Sequence, residues 1–149
     1  MDIPVIKEFR YQYNFLSNFQ ETPVIYKDIL FKTSEHAYQW EKCETDEDRL
    51  KILSCNTPTG AKRLGRRIKY DIKKWDLNKI NVMKEILKCK FSNEHLKNKL
   101  LATGNSELIE GNYWHDLTWG QCFCPKCKNK VGKNYLGKVL MEIRDELRI

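Results

Sequence analysis

Leu77, Ile80, Met83, Leu87 and Phe91 recur at three- and four-residue steps, the period of one helix face. Asp76 precedes them as a candidate cap, so a long helix is expected from there to residue 91. Leu136, Leu140, Ile143 and Leu147 form a second stripe and predict a helix near 134–147. Between these, Thr45-Asp46-Glu47-Asp48 opens a helix through Leu53 in capping-box style. Thr57-Pro58 pairs an N-cap with a proline at the first helical position, ahead of Ala61-Lys62-Arg63-Leu64. Residues 93–103 fit a further helix closed by Gly104. Strand signals are short. Val24-Ile25 and Ile29-Leu30-Phe31 flank the turn Tyr26-Lys27-Asp28 as a small hairpin, and residues 5–13 also carry β-branched and aromatic side chains. With no repeat, low-complexity tract or Gly/Ser/Pro-rich linker, the expectation is one helix-dominated α+β domain over residues 1–149, with a small β-sheet or hairpin.

One helix breaks the amphipathic rule. Across Thr33-Ser34-Glu35-His36-Ala37-Tyr38-Gln39-Trp40-Glu41-Lys42, the positions i, i+3, i+4 and i+7 are Glu35, Tyr38, Gln39 and Lys42. A carboxylate, an amide and an amine on one stripe would be an odd core, and periodicity alone reads it as a solvated polar face. As chemistry it is equipment for cleaving a polar bond. Glu35 lies in the first turn, where the helix dipole and free N–H groups favour its ionised form.

Charge and cysteines bound the partners and the compartment. The formal net charge is +7, from 27 Lys+Arg against 20 Asp+Glu, which favours anionic partners such as phosphorylated metabolites or nucleic acid. No run approaches the ~20 apolar residues of a membrane helix, and the N-terminus lacks a signal-peptide core, so a cytoplasmic protein with no membrane partner is expected. The six cysteines are then reduced thiols. Cys43, Cys55 and Cys89 read as small hydrophobes. Cys122-Phe123-Cys124-Pro125-Lys126-Cys127 looks like a zinc knuckle with three ligands, and a structural zinc there would need a fourth from His115, Cys43, Cys55 or Cys89. The bland reading is a β-turn carrying reduced thiols.

A second carboxylate, Asp116, follows the polar-aromatic patch Asn112-Tyr113-Trp114-His115 and precedes Leu117-Thr118-Trp119-Gly120. It could complete the carboxylate pair of glycoside chemistry, although a lone Asp in such a segment more often caps a turn. Trp75 reads first as a core anchor. Lys62-Arg63-Leu64-Gly65-Arg66-Arg67 offers guanidinium forks for phosphate and a glycine where backbone can approach a neighbour. Walker, dinucleotide-binding, zincin and nucleophile-elbow motifs are all absent, which argues against ATPases, nicotinamide oxidoreductases, zinc proteases and serine hydrolases.

Taken in order, the segments resemble the NADAR family, also called YbiA-like. The resemblance runs through Phe15-Leu16-Ser17-Asn18-Phe19, Phe31 to Gln39 with Lys42, Ala61-Lys62 with Gly65-Arg66, Trp75, and Lys90-Phe91. It continues through Leu100 to Gly104, Glu110, Asp116-Leu117-Thr118-Trp119-Gly120, and Gly132 to Arg144. The chain departs from the family pattern after Gly120, where it has Gln121 and the cysteine segment in place of the short glycine-rich turn of some members.

The resemblance implies a YbiA-like fold and an N-glycosidase that hydrolyses a ribose C1′–N bond without a required cofactor. The substrates it implies are phosphorylated ribosylamino-pyrimidine intermediates of riboflavin synthesis, or ADP-ribose on guanine of DNA or RNA. By position, the family's functional residues fall on Glu35, Trp75, Asp116 and Trp119, with Lys42 as a further active-site candidate. In this reading Glu35 faces the sugar, Asp116 holds ribose hydroxyls or acts as partner acid/base, and Lys42 is a proton donor or an imine-forming amine. Trp75 and Trp119 stack on the base. Asn18, Arg66, Gln39 and Asn134 are candidates for substrate contacts, and Cys122, Cys124 and Cys127 for metal. The competing readings are a non-catalytic ADP-ribose or NAD-binding module and a basic zinc-knuckle nucleic-acid-binding protein.

Overall fold

The computed structural model describes residues 3–149. Helices dominate, with short two-stranded sheets between them. The chain divides into two compact units: residues 18–93 form one, and the N-terminal residues to Ser17 together with 94–149 form the other. No helix among the described residues is long and apolar enough to cross a membrane.

The 18–93 unit opens with the expected hairpin. Strand β2 (Val24–Tyr26) pairs antiparallel with β3 (Ile29–Phe31), and Lys27 and Asp28 both adopt positive φ in the turn. Four helices follow: α1 (Ser34–Lys42), α2 (Asp46–Ser54), α3 (Pro58–Gly65) and α4 (Ile72–Lys90). Thr33, Thr45 and Thr57 cap the first three, each hydroxyl accepting a backbone N–H three residues on. Helix α1 packs against α2, α3 and α4, so its residues 34–40 are all buried. Trp40 meets Phe31 edge-on at 5.4 Å, and the Arg49 guanidinium lies 4.0 Å from the centre of the Trp40 ring.

The long helix differs from its sequence reading at the start. Its cap is Asp71, whose Oδ1 accepts from Lys74 N at 3.1 Å, so the helix begins a turn earlier than Asp76 indicates. Trp75 therefore sits inside α4, and Leu77 is 83% exposed. Met83, Leu87 and Phe91 of the expected stripe are buried, joined by Ile86 and Lys90. Burial pushes the Lys90 ammonium down to about 7.

In the other unit, β1 (Val5–Ile6) pairs parallel with β4 (Glu107–Leu108), and β5 (Gly111–Asn112) pairs parallel with β6 (Gln121–Cys122). Residues beyond β1 enter a 3-10 helix over Tyr11–Leu16 rather than continuing as strand. Helix α5 (Glu94–Ala102) ends at Gly104, which takes a φ of 63°. Helix α6 (Tyr135–Leu147) buries Leu136, Val139, Leu140 and Ile143. Arg144 is buried beside them and donates to Thr103 Oγ1 at 2.9 Å.

Candidate active site

The polar stripe of α1 is not solvated. Glu35, Tyr38 and Gln39 are 6%, 7% and 5% exposed, and Lys42 is half-buried at the helix end. The helix is held at its N-terminus by a set of polar contacts. Ser34 Oγ donates to Asn18 Oδ1 at 2.8 Å, Glu35 N donates to Asn18 O at 3.2 Å, and Asn18 Nδ2 reaches Met83 Sδ at 3.4 Å. His36 is tied down rather than poised for chemistry. Its Nε2 lies 2.9 Å from Cys55 O and its Nδ1 lies 2.7 Å from Thr33 Oγ1. The carbonyl requires Nε2–H as donor, so Nδ1 accepts the Thr33 hydroxyl proton. Burial, with Lys32 nearby, holds the imidazole below its usual range and keeps it neutral.

Gln39 Nε2 donates to Glu35 Oε1 at 2.9 Å, one turn along the same face. Gly65, at the end of α3, lets a second backbone come against this pair. A Cβ there would run into Gln39 Oε1 and lie 3.2 Å from Lys42 Nζ. A larger residue would require the Gln39 and Lys42 side chains to move, which accounts for the glycine inside the basic run. Burial lowers the Lys42 pKa from the ordinary lysine range, with Glu35 and Cys43 opposing and Arg66 assisting. The Lys42 ammonium stands 4.8 Å from the centre of the Tyr70 ring. Lys42, Tyr70 and Trp75 line an open cleft of about 740 Å³ within this unit. Trp75 is half-buried, with its ring 5.1 Å from that of the buried Tyr38 and its other side on the cleft. Arg66 is exposed.

Asp116 and Trp119 lie in the other unit, on a tightly organised loop. Asp116 Oδ1 accepts from Thr118 N at 3.0 Å and from Trp119 N at 2.8 Å. Asn112, fully buried, frames the loop: its Oδ1 accepts from Asp116 N at 3.1 Å and its Nδ2 donates to Asp116 O at 2.9 Å. The first N–H groups of α6 complete the arrangement, Tyr135 N donating to Thr118 O and Leu136 N to Trp119 O. Gly120 is needed because a Cβ would strike Glu110. Asn134, with φ 50°, is buried, and its amide is spent on the backbone of Leu108 and Glu110.

The cysteine segment brings its three thiols together with His115, and the four donor atoms lie within 4.8 Å of one another. Cys43, Cys55 and Cys89 are not part of the cluster. Hydrogen bonds among these groups overcome burial and bring the Cys122 thiol down, whereas burial and the same neighbours push Cys127 up.

The model for the NADAR domain matches residues 6–148. The chain belongs to the NADAR family. It is 36% identical over 139 residues to the N-glycosidase YbiA of Escherichia coli, a match covering 92% of this chain and 83% of that protein. An N-glycosidase of Nostoc punctiforme is 36% identical over 141 residues, covering 91% of this chain and 86% of its own length. The maize riboflavin biosynthesis protein PYRR is 36% identical over 127 residues, 77% of this chain but 19% of that longer protein. The NMR structure of E. coli YbiA matches with a TM-score of 0.83 at 31% identity, covering 99% of this chain and 88% of that one. The YbiA-like fold expected from the ordered motifs is thus the observed one.

Sequence reading overlooked Tyr70, and placed Asn112 in the polar-aromatic patch without giving it a role. Tyr70 lies in a connection where an isolated aromatic carries no periodic signal. Asn112 had one available signal, the four-residue spacing to Asp116, which its side chain spans with two hydrogen bonds.

Proposed function

We propose that this NADAR chain is an N-glycosidase that hydrolyses the C1′–N bond of a phosphorylated ribosylamino-pyrimidine of the riboflavin route. The observation that carries the reading is the buried Glu35–Gln39 pair on the same helix face as Lys42, in a chain whose relatives are named N-glycosidases. The name of the maize relative supports the pyrimidine substrate. As C1′–N breaks, positive charge grows at C1′ and the departing nitrogen gains an electron pair. Glu35 stabilises the first and orients water; a proton donor satisfies the second. Water supplies OH to C1′ and a proton to the amine, and no other co-substrate is needed.

Lys42 has two roles open to it in this scheme. As an ammonium it protonates the leaving nitrogen. As a neutral amine it adds to C1′ of the ring-opened sugar, expels the amine and forms an imine that water then hydrolyses. Burial of Lys42 lowers its pKa, which helps either role: it makes the ammonium a stronger acid and the free amine more available. Trp75 supplies an aromatic face for the base.

The net charge of +7 fits the phosphorylated pyrimidine and equally a second substrate, ADP-ribose on guanine of DNA or RNA. One panel tests both: the ribosylaminopyrimidine phosphate, ADP-ribosyl-guanine DNA and NAD, each with the wild type and Glu35→Gln. Release of free pyrimidine and ribose phosphate, lost in Glu35→Gln, is the expected result. Tight binding of ADP-ribose without turnover of any substrate would replace this reading with a binding module.

A further inference from the structure

We propose that His115, Cys122, Cys124 and Cys127 hold one structural zinc ion that closes the loop carrying Asp116 and Trp119. His115 Nδ1 lies 3.3 Å from Cys124 Sγ, 3.4 Å from Cys127 Sγ and 3.9 Å from Cys122 Sγ. Four donors bound at about 2.0–2.3 Å to one tetrahedral zinc stand about 3.6–3.8 Å apart. The His115 separations bracket that range and all four donors lie within 4.8 Å of one another, so small shifts bring them onto one ion.

Burial of small thiols against Leu117 would by itself explain three sulfurs together. It does not explain an imidazole nitrogen aimed at all three. His115 reaches this position with a φ of 69°, a left-handed conformation that costs a non-glycine residue on the order of 1 kcal/mol. The chain around the sulfurs has the knuckle geometry too. Cys127 N donates to Cys124 O at 3.1 Å, and Cys124 N reaches Cys122 Sγ at 3.5 Å. None of the three thiols is in a disulfide.

On binding, the three thiols release their protons to solvent, and the neutral imidazole binds through Nδ1, keeping its proton on Nε2. Zinc with three thiolates carries a net charge of −1, which the adjacent Lys126, Lys128 and Lys130 offset. Four protein donors fill the tetrahedron and leave no open position, so the ion is structural and not a Lewis acid for substrate. Its effect follows from where the ligands sit in the chain. His115 and Cys122 bracket residues 116–121, and the ion cross-links the two ends of that loop.

The test uses the full chain, expressed with zinc supplementation and purified without a metal-binding tag. Elemental analysis should find about one zinc per chain. After stripping by chelator under reducing conditions, cobalt(II) should give the intense visible bands of a tetrahedral site with thiolate charge transfer, displaced by one equivalent of zinc. Cys124→Ser and His115→Ala should each weaken metal retention at least about tenfold, and His115→Cys should restore it. Amide exchange across 116–121 should quicken on zinc removal. Iron in place of zinc, or reduced folded protein with neither zinc nor a cobalt spectrum, overturns the proposal. So does full retention in both single variants, and unchanged exchange overturns the loop-closing role. If a variant does not fold, the wild-type cobalt titration decides. No readout depends on turnover, so the outcome is independent of the proposed reaction.

Discussion

Gln39 fixes the carboxylate of Glu35 from one helical turn away, its Nε2 donating to Oε1 at 2.9 Å with both side chains buried. Glu35→Gln keeps an acceptor oxygen at that position, so the pair survives and the change is one of charge. The expected result is a folded protein with a melting temperature close to wild type and turnover of the ribosyl substrate reduced about 10²–10⁴-fold. Near-normal turnover in a folded Glu35→Gln enzyme would remove Glu35 from the chemistry.

Lys42 is predicted to titrate below the protein's exposed lysines, because burial disfavours its ammonium more than Glu35 favours it. Neutralising Glu35 removes an upward influence, so Lys42 should titrate lower still in Glu35→Gln. NMR of ¹³C-dimethylated lysines, assigned through Lys42→Met, measures both. If the amine is the nucleophile, turnover rises with pH through that depressed pKa, and borohydride in the presence of substrate traps a sugar adduct on Lys42. Turnover that falls as pH rises through that pKa, with no adduct, marks the proton-donor role, and a flat profile with no adduct removes Lys42 from the proton chemistry.

Gly65→Ala places a methyl group against Gln39 Oε1 and Lys42 Nζ. Overpacking of this kind costs about 1–3 kcal/mol, and here the strain falls on two groups of the polar stripe. The variant should melt lower and lose more activity than its stability loss explains at assay temperature. Chemical denaturation alongside kinetics checks both, and wild-type values for each would show that the contact yields freely.

The fold was legible where a local signal and the tertiary structure agree. Thr33, Thr45 and Thr57 marked helix starts because a hydroxyl three residues before an N–H caps it whatever surrounds it. Asp76 misled because Asp71, a turn earlier, caps α4 instead, and an apolar residue such as Leu77 can stay in water at small cost. The stripe on α1 failed on periodicity for the opposite reason. Its burial comes from α2, α3 and α4, and no local pattern carries that; only the ordered family motifs single the stripe out in the sequence. Gln39 and Gly65 show the limit within the site, since their contact joins residues 26 positions apart on two different helices.

Lys90 gives the fold a pH dependence. Its ammonium is held near 7 in the folded chain against about 10.4 when unfolded, so between those values the unfolded state binds more protons. Stability should therefore rise with pH from about 7 to about 10, with the full penalty of the buried charge present below 7. Lys90→Met should flatten the rise in chemical denaturation midpoints measured between pH 6 and 9. Parallel curves for variant and wild type would mean that Lys90 titrates in the usual lysine range.

Asp116 serves the loop as well as any chemistry, and two variants separate these roles. Its Oδ1 receives the N–H groups of Thr118 and Trp119, so Asp116→Ala leaves two donors unsatisfied and should cost about 1–2 kcal/mol. Asp116→Asn retains an oxygen for both N–H groups and should melt near the wild type. If the carboxylate takes part in the reaction, Asn nevertheless lowers turnover by at least about tenfold, through kcat if it acts as acid or base and through KM if it only holds ribose hydroxyls. An Asn variant with wild-type stability and wild-type turnover would make Asp116 a turn residue alone, and would leave the chemistry to the α1 stripe.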